Sequence, residues 1–471
     1  MGLGDFTDSV LRDVEGLGAR VNEALFEPTI RLGVTGLSRA GKSVFITSLV
    51  SNLLQRGRMT QFAAANDGRL RTVYLQPQPD DTIARFPYES YLAALTGPTP
   101  FWPQSTRNVS ELRLSFRINP SGLLGGLRGA RTIHLDIVDY PGEWLLDLAL
   151  IGKSYREWSD EALQRMGAQD IGVQVAYQLE QVDADQPMDD VAIQELAAEY
   201  TRFVRDAHAQ GMSSGAPGRF ILPGELEGSP VITFAPLPPL ERSAKGAVWR
   251  EMERRFNAYK SEVVRPFFRD HFARIDRQIV LVDVLAALHR GPKAVDDLQT
   301  TMADILAGFR PGRNNWLSGL LTGKKVEKIL FAATKADHLH QSQHPRLTAL
   351  MDAMLSQAKS RAEFAGAQTQ AMAIAALRTT SETTINHEGR QLECVQGRIA
   401  NSTKPVAFYA GNLPKDPSRV LASAQLGKEE WADFTVRNQD FDPAILELKQ
   451  RQGLPHIRLD KALQFLIGDA L

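Results

Sequence analysis

The sequence predicts an α/β protein: a mixed sheet with flanking helices, interrupted by a largely helical insertion. Three observations predict it. A short buried strand near the N-terminus runs into a glycine-rich loop and then a helix. Further apolar strands alternate with helices downstream, and between the two groups of strands lies a long stretch with helical periodicity.

The elements follow in order. Val10, Leu11, Val14, Leu17, Val21 and Leu25 recur at helical spacing, so residues 1–27 read as a leading amphipathic helix packed on its neighbour. Pro28 closes it, and residues 29–35 (TIRLGVT) form the first strand. Two alternating segments, Ser110–Ile118 (SELRLSFRI) and residues 132–138 (TIHLDIV), pair as a hairpin across residues 119–130. Helical patterns then dominate at residues 155–166, 188–210 and 248–275, with a Pro/Gly-rich break at 211–239. Strands return at residues 278–284 (QIVLVDV) and 328–334 (KILFAAT), flanking a helix around residues 294–306. The end holds a strand-like segment at 406–409 and an amphipathic helix at 460–466. The expected division is an α/β body at 28–148 and 277–425, a helical insertion at 149–276, and a C-terminal helical tail at 426–471 packing on the body.

Composition narrows the function classes. The 471 residues suffice for two or three cores. A formal net charge of -1 gives no electrostatic case for nucleic acid as a partner. Cys394 stands alone, which excludes an internal disulfide and fits a reducing cytoplasm. No run of about 18 apolar residues marks a membrane span. One loop, residues 309–321 (FRPGRNNWLSGLL), sets Trp316 and leucines beside Arg310, Arg313 and Lys324. It reads as a partly buried loop before a strand, with a membrane-touching loop as the alternative.

The chemistry begins at Gly36-Leu37-Ser38-Arg39-Ala40-Gly41-Lys42-Ser43, a full match to G-x-x-x-x-G-K-[ST]. Small residues let backbone N–H groups from Ser38 to Val44 turn around phosphate oxygens, with a helix N-terminus behind them. Lys42 brings positive charge to the β- and γ-phosphates, and the Ser43 hydroxyl can ligate Mg²⁺. The strand before and helix after the loop predict a P-loop NTPase.

Asp139-Tyr140-Pro141-Gly142 follows the strand at 132–138. An acid there can bind Mg²⁺ through water, and Gly142 can present its N–H to the γ-phosphate. Asp136 is the rival acid, farther from the strand end. Thr334-Lys335-Ala336-Asp337, again at a strand end, resembles the [NT]-K-x-D motif that reads guanine. The Asp337 carboxylate can accept from guanine N1–H and the exocyclic amine, two donors that adenine does not offer together. Ala375-Ala376-Leu377 stands where a loop would contact guanine O6, which makes Ala376 and Leu377 candidates. Thr106 is the candidate for a second Mg²⁺ hydroxyl, with Ser105 and Thr99 as alternatives. The implied cofactors are GTP or GDP with Mg²⁺.

For the chemical step, Glu143 occupies the place after Gly142 where a water-orienting side chain is expected. Arg39 lies inside the loop, three residues before Lys42. The loop is similar to that of the guanylate-binding proteins and atlastins, whose arginine swings onto the phosphates. That likeness implies charge stabilisation in cis by Arg39, with nucleotide-dependent homodimerisation to order it. Arg107 is a second arginine of interest.

Together these stretches resemble the YcjX-like family of bacterial P-loop NTPases. The resemblance is carried by GLSRAGKSVFITSLV, WPQSTRNVSELRL, LDIVDYPGEWLLDL, PGRFILPGELEGSP, LVDVLAALHRGP, TKADHL and GLPHIRLDKALQFL, which span nearly the whole chain. It implies a GTPase-like core with a helical insertion, in a bacterial stress system associated with the envelope. It also implies an integral-membrane partner and a cytoplasmic location, peripheral at the inner membrane. The expected activity is a GTP-hydrolysing switch. An ATPase of the same fold and a nucleotide-stabilised adaptor near the membrane with negligible turnover are the alternatives.

Overall fold

The structure is a computed structural model. It describes residues 27–471 apart from 38, 105–106, 120–129, 241–242, 308–325, 357–358, 361–362, 364–365, 401, 403, 427–430, 432–435 and 448–450. The expected leading helix, most of the hairpin connection, Ser38, Ser105, Thr106 and the loop at 309–321 therefore lie outside the described residues.

Along the chain come β1 (Thr29–Gly36), helix α1 (Lys42–Gln55), β2 (Leu70–Gln76), the two-residue β3 (Ala84–Arg85), β4 (Ser110–Ile118) and β5 (Arg131–Asp139). Helices α2 (Tyr155–Gly167), α3 (Asp190–Ala209) and α4 (Val248–Ala258) follow. Strands resume with β6 (Arg277–Val282), followed by helix α5 (Pro292–Ala307), β7 (Lys328–Ala333) and β8 (Gln368–Ala373). The chain ends with β9 (Thr380–His387), β10 (Arg390–Gly397), β11 (Val406–Phe408) and helix α6 (Leu459–Ile467).

The main sheet has the order β2-β4-β5-β1-β6-β7-β8, with β3 beside β4. β5, β1, β6, β7 and β8 run parallel, while β4 is antiparallel to both β5 and β2. The central strands are apolar along most of their length, as a sheet covered on both faces requires. One face packs on α1 and α6 through Leu49, Val50, Leu53, Leu463 and Leu466. The other shares one continuous apolar cluster with the helices between β5 and β6.

Those helices close around aromatic rings. Trp158 stacks on Phe256 with centroids 5.0 Å apart, and Phe234 meets Phe220 edge-on at 4.7 Å. The Pro/Gly-rich break between α3 and α4 is tied down by side chains: Tyr155 Oη donates to the Ala235 carbonyl (2.7 Å) and Ser159 Oγ to that of Leu237 (2.6 Å). After α4 the helix widens into a π-helical turn, Tyr259–Val264, a form often found at functional positions.

The hairpin expected from the alternating segments is β4–β5, paired from Ser110↔Asp139 to Ile118↔Arg131. The short β3, the edge strands β2 and β8 and the hairpin β9–β10 were not anticipated. β2 is an edge strand with only Leu70 and Val73 buried, so its sequence carries little apolar alternation. β9 and β10 form a polar hairpin turning at Glu388 and Gly389, both at positive φ (51° and 77°), as a two-residue turn matching strand twist requires.

A buried charge cluster spans β1, β4 and β5. Arg113 grips Asp136 with hydrogen bonds of 2.6 and 2.9 Å, and Arg31 lies 3.5 Å from Glu111 and 3.7 Å from Asp136. Asp136 is thereby committed to structure, which separates it from Asp139. Burial, reinforced by the charge on Asp136, pushes the Glu111 carboxyl up from its ordinary 4.5 to about 7. The stability contributed by protonated Glu111 is thus complete below the ordinary value and is lost as pH rises toward 7. Glu111→Gln should flatten the fall in melting midpoint over that interval in pH-resolved thermal melts. An unaltered slope would assign the effect elsewhere.

Candidate functional site

Strand register brings the motif residues to one edge of the sheet. β1 pairs Val34 with Asp139 of β5 and Gly36 with Leu281 of β6, and β6 pairs Val282 with Ala333 of β7. The loops after these strands therefore open side by side at their carboxyl ends, where ligands bind in open α/β sheets. They line a cavity of about 480 Å³, within the range of small-molecule sites.

The phosphate loop has the required local geometry. Arg39 and Gly41 both take positive φ (64° and 86°). The N–H of Ala40 reaches the Leu37 carbonyl at 3.0 Å, closing the first turn. Gly41 caps α1 without a side-chain hydrogen bond, and the first helical turn carries no acid, so nothing in the helix itself competes for an anion. Lys42 Nζ lies 3.3 Å from the Gly36 carbonyl, folded back over the loop. Arg39, Ala40, Gly41, Lys42, Ser43 and Val44 line the cavity. Arg39 is exposed there.

Asp139 is buried at the end of β5, and the turn after it is pressed against the phosphate loop. A Cβ on Gly142 would lie 2.3 Å from the Gly36 oxygen and 2.5 Å from its carbonyl carbon. Only glycine permits that approach. Tyr140 fixes the turn from behind, its hydroxyl donating to Gln278 Oε1 at 2.8 Å.

The segment after Gly142 is wound into a 3-10 turn, Gly142–Asp147, entirely buried and latched to the insertion. Asp147 accepts from the Gly218 N–H (2.7 Å) and from the Tyr259 hydroxyl (2.8 Å), and burial raises its carboxyl to about 7. Trp144 Nε1 donates to the Leu222 carbonyl at 2.8 Å, and the Arg219 guanidinium sits 3.1 Å from the centroid of the Trp144 ring. Glu143 lines the cavity and is fully buried. Neither carboxylate oxygen has a hydrogen-bond partner, and the imidazole of His208 faces it, with Nε2 at 3.6 Å from Oε1.

At the opposite end, Thr334, Lys335, Asp337, Ala376 and Leu377 line the same cavity. Lys335 takes positive φ (58°) and its Nζ pairs with Asp283 Oδ2 at 2.5 Å, just past β6. The Thr334 hydroxyl lies 3.3 Å from the Val282 carbonyl, so its tether is to β6. Asp337 Oδ2 accepts from the N–H (2.8 Å) and the hydroxyl (2.9 Å) of Thr379. The loop carrying Ala376 is held by the C-terminal segment, with Ala375 and Ile457 exchanging backbone bonds of 3.1 and 2.8 Å.

Several lining residues went unread in the sequence. Trp102, Pro103 and Gln104 form one wall, while Asp440, Phe441 and Asp442 form another. The two walls are joined by a 2.9 Å bond from Trp102 Nε1 to the Phe441 carbonyl. Thr379 carried a weak signal, as a hydroxyl residue shortly after the expected base loop. The second wall carried none, since its chain is irregular. Thr99 and Arg107 are exposed and outside the lining residues.

Comparison with known proteins agrees with this geometry. Residues 30–471 match the model of the YcjX-like family, DUF463. The chain belongs to the YcjX-like family. It is similar to the Ras-like GTPase YcjX of Escherichia coli (strain K12), 34% identical over 470 residues covering 97% of this chain and 98% of the relative. It is likewise 34% identical to the Ras-like GTPase YcjX of Shewanella oneidensis, over 94% of each chain. The fold is that of a GTPase-like P-loop protein, as the sheet order and the loop geometry require. Among the described residues no helix is long and apolar enough to cross a membrane.

The contact between Gly142 and Gly36 gives a direct test of the site. In Gly142→Ala the new methyl meets backbone, so either the turn or the phosphate loop must shift. The affinity for a non-hydrolysable nucleoside triphosphate should fall at least about tenfold, or about 1.4 kcal/mol, in a chain that still melts cooperatively. Unchanged affinity would show that the turn does not rest on the loop.

Proposed function

We propose that the chain is a guanine-nucleotide switch that binds GTP and GDP with Mg²⁺ and hydrolyses GTP. The observation that carries this reading is Asp337: a buried carboxylate in the cavity wall, held on one oxygen by Thr379. A carboxylate offers about four acceptor positions, so Asp337 retains capacity for the N1–H and exocyclic amine of guanine. Adenine would leave that capacity unused in a buried setting, which is costly. Lys335, steadied by Asp283, would lay its aliphatic stem along the base. The names of the relatives support the same reading.

At the phosphate end, the backbone from Ser38 to Val44 and the Lys42 ammonium would hold the α-, β- and γ-phosphates. Ser43 and Asp139 supply hard oxygen donors of the kind Mg²⁺ takes together with phosphate oxygens and water, and Thr106 is proposed as a further one. The ion, when bound, neutralises charge on the phosphates. The chain's own residues do the rest: Gly142 offers its N–H to the γ-phosphate, Arg39 swings in to meet charge developing in the transition state, and Glu143 orients the attacking water. Loss of the γ-phosphate would release Gly142, and the latches at Asp147, Trp144 and Glu143 would carry that movement into the insertion. The setting we propose, a bacterial stress response at the inner membrane with an integral-membrane partner, rests on the family resemblance alone.

Asp337→Asn tests the base assignment, because an amide reverses one hydrogen bond and favours xanthine, which has a carbonyl where guanine has its amine. Competition binding should show GTP affinity falling by about a hundredfold and XTP affinity rising above it, in line with about 1–3 kcal/mol per buried polar mismatch. Equal binding of GTP, ATP and XTP before and after the substitution would remove the assignment.

A further inference from the structure

Glu143 brings a buried carboxylate with no hydrogen-bond donor into the proposed hydrolytic site. A buried carboxylate without donors is costly, and a residue that must orient water has to be held in place. Facing it is His208, near the C-terminal end of α3, a helix of the insertion.

The imidazole is itself fixed on its far side. Ser213 Oγ lies 2.7 Å from Nδ1, and the N–H of Ser213 donates to Asp297 Oδ2 at 2.8 Å. Asp297 also takes the N–H (3.1 Å) and hydroxyl (2.6 Å) of Ser214. Asp297 belongs to α5, between the strands β6 and β7, so His208 is anchored to the sheet-bearing body as well as to the insertion. In the tautomer whose Nδ1 accepts from the Ser213 hydroxyl, the remaining proton sits on Nε2 and faces Glu143. The 3.6 Å separation is longer than a formed hydrogen bond, so the two groups stand in electrostatic contact.

We propose that His208 is a positioning residue for GTP hydrolysis: its Nε2–H holds the Glu143 carboxylate toward the attacking water, which makes the helical insertion part of the hydrolytic machinery. This rests on the guanine-nucleotide reading given above. The insertion does not merely follow the nucleotide state; it supplies the group that aims the water.

The charged and titratable groups facing His208 come from four elements: Glu143 of the 3-10 turn, Asp297 of α5, Arg290 before α5 and Arg39 of the phosphate loop. Burial outweighs the two carboxylates and lowers the imidazole below its ordinary 6.5, which keeps it neutral near pH 7. Protonation on acidification would clamp Glu143 in an ion pair and weaken it as an acceptor for water. The hydrolysis rate should therefore drop on the acid side as the imidazole titrates.

The test is single-turnover hydrolysis of GTP by the full chain, with GTP and GDP affinities measured in parallel. His208→Ala should lower the rate constant about tenfold to a hundredfold, the scale of a mispositioned proton acceptor, with GDP affinity within about threefold of native. His208→Gln, which keeps a donor on the same side, should recover part of that loss, and the imidazole-dependent acid limb should disappear from its pH profile. In a Glu143→Gln background, His208→Ala should cost little more, because the two act as a unit. If His208→Ala melts well below native, the rate and pH profile of His208→Gln decide the matter. Native rates in either folded variant, or an undiminished His208 effect without Glu143, would overturn the proposal while leaving the guanine reading intact. Failure of the native chain to bind guanine nucleotide would overturn both.

Discussion

The constraint on which the site depends is the meeting of two backbones, Gly142 against Gly36. Parallel pairing of β1 and β5 sets Asp139 beside Val34, so the turn that follows β5 has no other course than across the mouth of the phosphate loop. A Cβ on Gly142 would meet the Gly36 backbone, and one on Gly36 would meet Leu281. That single approach joins the phosphate loop to the turn that, in the function proposed above, senses the γ-phosphate. It also sets the starting point of the insertion, because the 3-10 turn begins at Gly142 itself.

The insertion is therefore bound to the site by chemistry as well as by chain connectivity. A Cβ on Gly218 would come within 2.0 Å of the Glu143 carbonyl oxygen, so a second glycine from the insertion is pressed against the segment after Gly142. Asp147 adds two hydrogen bonds in a setting where its charge is disfavoured, and Tyr259, at the widened turn after α4, supplies one of them. Such buried polar links tolerate one geometry and fail sharply outside it. A shift of the turn has to be answered by the helices. At the other end of the cavity, the pairing of β7 with β8 and the Ala375–Ile457 backbone bonds to the C-terminal segment hold the loops that carry Lys335, Asp337 and Ala376.

Much of this was legible in the sequence, for physical reasons. The phosphate loop and the T-K-x-D segment are legible because their backbone and hydrogen-bonding demands restrict residue type at each position. Strands β1, β4, β5, β6 and β7 are legible because burial on one or both faces imposes an apolar pattern. The polar hairpin β9–β10 escaped because its exposed residues need no such pattern, although Glu388-Gly389 is a turn signal. Thr379 escaped because the hydroxyl that holds Asp337 is defined by a contact between loops. The Trp102 and Phe441 walls escaped for the same reason, as did His208, which lies 65 residues beyond Glu143 and meets it only through the fold of the insertion.

The central claim is that one cavity reads both a guanine base and a γ-phosphate, and equilibrium titration of the native chain with GDP and ADP tests its base-reading half most directly. A buried carboxylate matched to guanine should favour GDP by at least about a hundredfold, or about 2.7 kcal/mol. Equal affinity for the two diphosphates, or binding of neither, would contradict the account.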